Sequence, residues 1–191
     1  MDYDLAIEGG PASVPGGTAI LLLHASTGET DRIDTDFLKL DTDHFLVVST
    51  RTTAREVKQK LDYYDVDASR ADILDTLSVD RGLSRRRTDD IHYASAPEDV
   101  EGILAKTEAF LADHDGKRRV SFDSLTELAY YADEDSALDA LTRMKDLLEE
   151  YDAVGLFHVD LEVHDEATLD EFRSRCDAVV ELDADGSITY R

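Results

Sequence analysis

The stretch Leu21-Leu22-Leu23-His24-Ala25-Ser26-Thr27-Gly28-Glu29-Thr30 decides how the rest of the chain is read. Three leucines ahead of a short polar turn with a glycine predict a buried strand that stops abruptly and gives way to a loop. A phosphate-binding loop is built this way and reads G-x-x-x-x-G-K-[ST]. Its backbone N–H groups cradle phosphate, its lysine reaches the outer oxygens and its hydroxyl holds magnesium. Aligned on Gly28, the first glycine position is Leu23, the lysine position is Glu29 and the hydroxyl position is Thr30. The outline is kept and the charge is reversed. Two unit charges about 4 Å apart interact by ~4 kcal/mol at an effective dielectric near 20. Exchanging attraction for repulsion therefore weakens phosphate binding strongly, and a bridging magnesium would lessen the loss.

Outward from this loop, strand-like and helix-like segments alternate. The apolar runs at 18–24, 45–50, 73–77, 91–94, 119–123, 153–159 and 178–182 predict strands, the last pairing with 187–190 as a terminal hairpin. Helical periodicity marks 31–40, 53–63, 97–114, 136–151 and 166–175. In the third of these, Ser95 and Pro97 read as the start, Glu98 and Asp99 suit the N-terminal dipole, and Val100, Leu104, Thr107 and Leu111 repeat on one face. In 136–151 the inward set is Leu138, Leu141, Leu148 and either Met144 or Lys145. Such alternation implies an α/β fold with a mostly parallel sheet covered on both faces. Ligands of such sheets bind at the carboxyl ends of the strands, so the segments ending at His24, Thr50, Asp123 and Asp160 should meet at one edge. With no repeat or linker, 1–191 reads as one domain.

The composition is strongly acidic: 44 Asp and Glu against 20 Lys and Arg, a net charge of −24. Thirty of the acids are Asp, and only six of the basic residues are Lys. This Asp-rich, Lys-poor surface resembles that of proteins from salt-accumulating haloarchaea, where it stays hydrated. It argues against nucleic acid as a partner, because phosphate contacts need local Lys and Arg. The basic clusters are Arg81 with Arg85-Arg86-Arg87, and Lys117-Arg118-Arg119. One cysteine, Cys176, excludes an internal disulfide. No signal peptide or long apolar run is read, so a soluble cytoplasmic protein is expected, away from membranes.

A second motif follows downstream. Arg119-Val120-Ser121-Phe122-Asp123 is an apolar strand ending in a carboxylate, the pattern that holds magnesium opposite a phosphate loop. The run Val120-Ser121-Phe122-Asp123-Ser124-Leu125-Thr126 resembles the corresponding strand of RecA-superfamily ATPases of the KaiC/GvpD type. The segments 151–160 and 177–182, with His164-Asp165-Glu166 and Phe172, are similar to that family's C-terminal half, and Gly16-Gly17-Thr18 to the residues ahead of its loop. The resemblance covers about residues 12–185. It implies a three-layer RecA-like P-loop NTPase fold with a mostly parallel central sheet and a C-terminal hairpin. It also implies ATP and magnesium as cofactors. Ser26, Thr27, Gly28, Glu29, Thr30, Arg51 and Asp123 would be the nucleotide-facing positions, with Thr30 and Asp123 on the metal.

The departures bear on function. Where the family carries adjacent glutamates that activate water, this chain has Arg51-Thr52. With the loop lysine also lost, no catalytic residue is assigned. The expected function is a non-catalytic or weakly nucleotide-binding regulatory protein that acts through protein contacts, self-assembly among them. The alternative is an active magnesium-dependent ATPase that borrows Lys117 or a neighbouring subunit's arginine. Arg51 either contacts an anion or pairs with Glu29 or Asp123. Among secondary candidates, His158, Asp160, His164 and Asp165 have metal-ligand chemistry but read more simply as a strand end and a helix cap. Asp133-Glu134-Asp135 reads as a helix start. His24 reads as a pocket-lining residue, Tyr130-Tyr131 as a contact between elements or between subunits, and Arg85-Arg86-Arg87 either as a partner-contact loop or as a solvated loop paired with Asp89-Asp90.

Overall fold

In the computed structural model, which describes residues 1–191, six helices and ten strands alternate along the chain. The strands are β1 (Asp2–Asp4), β2 (Ser13–Pro15), β3 (Ala19–His24), β4 (His44–Ser49), β5 (Ala71–Asp75), β6 (Ile91–Tyr93), β7 (Arg118–Asp123), β8 (Val154–Asp160), β9 (Ala178–Leu182) and β10 (Ile188–Tyr190). The helices are α1 (Asp31–Lys39), α2 (Ala54–Tyr63), α3 (Val100–Asp113), α4 (Leu125–Tyr131), α5 (Glu134–Glu150) and α6 (Glu166–Ser174). Eight strands form one sheet in the order β10-β9-β3-β8-β7-β4-β5-β6, parallel except for β10. Register sets His24 opposite Asp160, and Ser49 opposite both Asp123 and Asp75. The carboxyl ends of β3, β8, β7 and β4 therefore share one edge.

Alternation along the strands sorts their side chains into two cores. On one face Leu21, Leu23, Val120, Phe122 and Phe157 pack under α3, α4, α5 and α6. On the other, Ile20, Leu22, Val47 and Leu156 pack under α1, α2 and the N-terminal segment. On this second face, β3 and β8 turn polar toward the carboxyl edge, Ile20 and Leu22 leading to His24 and Leu156 to His158, while β7 is polar throughout with Arg119, Ser121 and Asp123.

Three details depart from the sequence expectations. The third helix starts at Val100, not Pro97, because Asp99 is its cap and accepts the Gly102 N–H at 2.9 Å. Ser95 instead donates its hydroxyl to that same Asp99 carboxylate at 2.7 Å. The strand expected at 73–77 is Ala71–Asp75. Its last residue turns back to cap the loop, accepting the N–H groups of Leu77 and Ser78 and that of Ala54 at the start of α2. The small antiparallel sheet of β1 and β2 was not expected at all, since three-residue strands show no readable period. It closes over the amino edge, where Tyr3 donates its hydroxyl to the Asp152 carbonyl at 2.7 Å and stacks on the buried Arg119. In α5 the inward residue is Met144, with Lys145 outside and paired to Asp177 at 2.7 Å.

Candidate functional site

The loop after β3 follows from its residues. Gly28 N–H donates to the Ala25 carbonyl at 2.8 Å, closing a tight turn. A Cβ on Gly28 would lie 2.9 Å from that carbonyl oxygen, which is why the position is glycine. Thr30 then begins α1; it is buried, its carbonyl accepts the Asp34 N–H at 3.0 Å, and its side chain makes no capping bond.

Two carboxylates, one at the end of β8 and one just beyond it, close on the loop. Glu162 accepts the Ser26 N–H at 2.8 Å, and Asp160 accepts the Ser26 hydroxyl at 2.5 Å. Asp160 is itself oriented by the Glu162 N–H at 2.9 Å, and its own N–H donates to Thr126 at 2.9 Å. Glu29 is exposed on the same loop, which thus carries or receives three carboxylates where a phosphate loop would meet an anion.

A second cluster lies at the ends of β7 and β4. Arg51 pairs with Asp123 at 3.3 Å, which decides between the two pairings left open by the sequence. Thr50 ties the strands together: its N–H donates to the Asp123 carbonyl, its hydroxyl to the Ser124 carbonyl, and it accepts the Ser124 N–H. The Asp123–Ser124 peptide is cis.

Beneath both lies a charged group that sequence reasoning missed. Asp34, fully buried on α1, accepts from Lys60 of α2 at 2.8 Å, from the Ser121 hydroxyl, and lies 3.1 Å from His158 Nε2. Lys60 also approaches Asp31 at 3.8 Å. Burial works against the Asp34 charge, but Lys60 and His158 outweigh it and hold the carboxyl far below its ordinary range. Burial likewise opposes the Lys60 ammonium, and Asp34 and Asp123 reverse the balance and raise its pKa. His158 behaves in the same way, lifted by Asp123, 3.9 Å from its Nδ1, and by Asp34 despite its burial. His24 is pushed down, chiefly by burial. The signal for this cluster was present: Asp34 is one turn before Leu38 on the buried stripe of α1, and Lys60 one turn after Val57 on α2.

The sequence-predicted positions thus divide. Thr27, Gly28 and Glu29 line a cleft of about 640 Å³ between the N-terminal residues 6–8, α1 and the β9–β10 turn. Ser26 faces the opposite way, to Asp160 and Glu162. Arg51 and Asp123 form their own pair, linked to the buried group through His158. His24 is buried and does not line the cleft.

Lys117 is not placed to replace the missing loop lysine. It precedes β7 at the opposite edge of the sheet, paired with Asp41, about 20 Å from Asp123 at the usual rise per strand residue. His158, Asp160, His164 and Asp165 are not gathered either. His164 bonds Thr126 and Glu134, Asp165 caps α6, and no three His, Cys, Asp or Glu side chains are grouped to hold a metal. Asp133 caps α5 through the Ser136 N–H at 2.6 Å, and Tyr130, 79% exposed, makes no contact between elements that buries it. Burial pushes the Cys176 thiol up to about 12, so it stays protonated at neutral pH.

Comparisons with known proteins agree with this architecture. The profile of a family described as "Family of unknown function (DUF7090)" matches residues 1–191. Among curated proteins, none matches the sequence. A solved KaiC-like protein of the hyperthermophilic archaeon Pyrococcus horikoshii OT3 superposes with a TM-score of 0.66 at 15% identity, covering 100% of this chain and 85% of its own. A second solved protein from the same organism gives 0.64 at 11% identity, covering 93% and 87%. At such identities the likeness carries the fold alone, and that fold is RecA-like, of the KaiC-like kind.

Proposed function

We propose, for a chain that belongs to the DUF7090 family from its first residue to its last, that the RecA-like fold is kept for its shape. On this reading the protein is a single-domain regulator that works through protein contacts and does not turn over nucleotide. The observation that carries the reading is that two of the loop's amide donors are already taken and the lysine position is a carboxylate. Ser26 N–H is taken by Glu162 and Gly28 N–H by Ala25. A triphosphate would have to displace a carboxylate, meet Glu29 where a lysine is needed, and separate Arg51 from Asp123. The residues present do not fit Mg-ATP, and no catalytic step is derived through it. The acid-rich composition supports a high-salt cytoplasm as the setting.

One pair of features favours the alternative, an active ATPase: Thr30 at the start of α1 and Asp123 at the end of β7 are the two magnesium positions, and both side chains are retained. Calorimetry with Mg-ATP in molar potassium chloride separates the readings. No heat of binding is expected from the wild-type chain, and affinity should emerge when Glu29→Lys is combined with Glu162→Gln. Micromolar binding by the wild type, with phosphate release abolished by Asp123→Ala, would overturn the proposal.

A further inference from the structure

We propose that the buried guanidinium of Arg119 binds a small monovalent anion, of the chloride or bromide class, beneath the N-terminal sheet. The site lies at the amino edge, away from the loop after β3, and does not rest on the reading above.

Arg119 is wholly buried, and so are the residues around it. Its register neighbours are Phe45 on β4 and Val154 on β8, both in the same apolar core. The guanidinium carbon lies over the rings of Tyr3 and Phe37, 5.3 and 5.0 Å from their centroids. These contacts favour a cation but leave its in-plane N–H groups to find acceptors. Nη2 donates to the Asp4 carbonyl at 2.7 Å, whereas Nε and Nη1 are buried with no partner. Arg81, Arg85, Arg86 and Arg87 also lack ion pairs, Asp90 being taken by Lys58, but they are exposed and keep their water. Arg119 has no such recourse.

Its charge is unanswered as well. Asp41, the carboxylate that acts on it most strongly, is taken up by Lys117 and by the Asp4 N–H, and Asp4 acts only at a distance. Tyr3 supplies no anion, because burial raises its hydroxyl above the ordinary range and that hydroxyl donates to the Asp152 carbonyl. Burial holds the guanidinium down to about 10, so it stays charged at neutral pH. An unpaired cation in such surroundings is heavily penalised. Water could satisfy Nε and Nη1 but would leave the charge uncompensated, whereas an anion meets both needs. The walls set its class. A divalent oxyanion is large and costly to dehydrate, while a halide is compact, singly charged and asks for donors alone. Because Tyr3 and the Asp4 carbonyl both reach Arg119 from β1, the ion would also fasten the N-terminal sheet to the body of the fold.

Crystals of the wild-type chain grown in potassium bromide test this directly. Anomalous scattering at the bromine edge should show a buried peak within hydrogen-bonding distance of Arg119 Nε or Nη1. Water in that place, or bromide confined to the surface as an adventitious ion only, overturns the proposal. In solution, chloride is exchanged against acetate, which is too large for the site, with potassium held at about 2 M so that screening stays constant. The two anions act unequally on any protein, so the unfolding midpoint is read against that of Arg119→Met, which keeps the bulk and removes the charge. The wild-type midpoint should gain on the variant's by roughly 3–6 °C for each tenfold rise in chloride above its dissociation constant. A gap that does not change with chloride sinks the proposal. If Arg119→Met does not fold, the bromide crystals still decide, since they need no variant. Both measurements use protein without nucleotide, so failure here leaves the calorimetric result standing.

Discussion

Asp34 and Lys60 concentrate, in one ion pair, the exchange this molecule has made. Asp34 is wholly removed from water and Lys60 largely so, at the place where two helices meet the sheet, and each is the other's nearest opposite charge. Asp34→Asn should leave the ammonium with only the more distant Asp31 and Asp123 and cost ~3–5 kcal/mol, read as a fall in the denaturant midpoint. Lys60→Met alone should cost a similar amount. The double variant Asp34→Leu/Lys60→Met should lose much less than the sum, because neither member of the pair is left without its partner. Additive losses would show that the two side chains do not act as a pair. Neither position was legible as a site, because charge on a helix reads as solvent-facing until a neighbouring element covers it. Their places on the buried stripes, beside Ile33 and Leu61, were the available clue.

At the scale of elements, the legible parts were those with a strong period and a marked end. Leu21–Leu23 running into a glycine turn, and Val120 and Phe122 running into Asp123, gave the two strand ends and their shared edge. The loop's chemistry was only half legible. Glu29 is visible in the motif, but Glu162 closes on Ser26 from 136 positions downstream, through a contact only the folded sheet creates. The N-terminal strands were illegible for a different reason: three residues each give no alternation to read, and their role comes from what they cover. Tyr3 is the clearest case. It is wholly buried, bonds the Asp152 carbonyl through its hydroxyl, accepts the Arg118 N–H at 3.2 Å, and lies 5.3 Å from the Arg119 guanidinium. Arg119, which burial holds down to about 10, depends on that ring and on Phe37 for much of its surroundings. Tyr3→Ala should therefore cost ~3–5 kcal/mol, and Tyr3→Phe, which keeps the ring, about 1–2. Equal losses in the two variants would place the energy in the hydroxyl and not in the cover over Arg119.

At the scale of the whole molecule, the excess of 24 negative charges sets the conditions under which every local argument holds. The buried Asp34–Lys60 pair is little screened, whereas the exposed carboxylates repel one another over a Debye length that shrinks from ~10 Å at 0.1 M salt to ~3 Å at 1 M. Surface pairs such as Arg143 with Glu101 weaken as salt rises, but an exposed pair is worth little to begin with. The repulsive excess should win. Stability should therefore increase from low to molar potassium chloride, and with roughly 2–4 °C per kcal/mol for a chain of this size the midpoint should rise by on the order of 10 °C. Thermal unfolding followed by circular dichroism across that range checks it. Potassium chloride is preferred to sulfate, which strengthens apolar burial in any protein and would blur the cause. A variant with several exposed Asp residues changed to Asn, away from helix caps and turns, should unfold at a higher temperature in low salt and show a shallower rise. A flat or falling midpoint in the wild type, or an unchanged slope in that variant, would mean that the acidic surface is not under strain from its own charge.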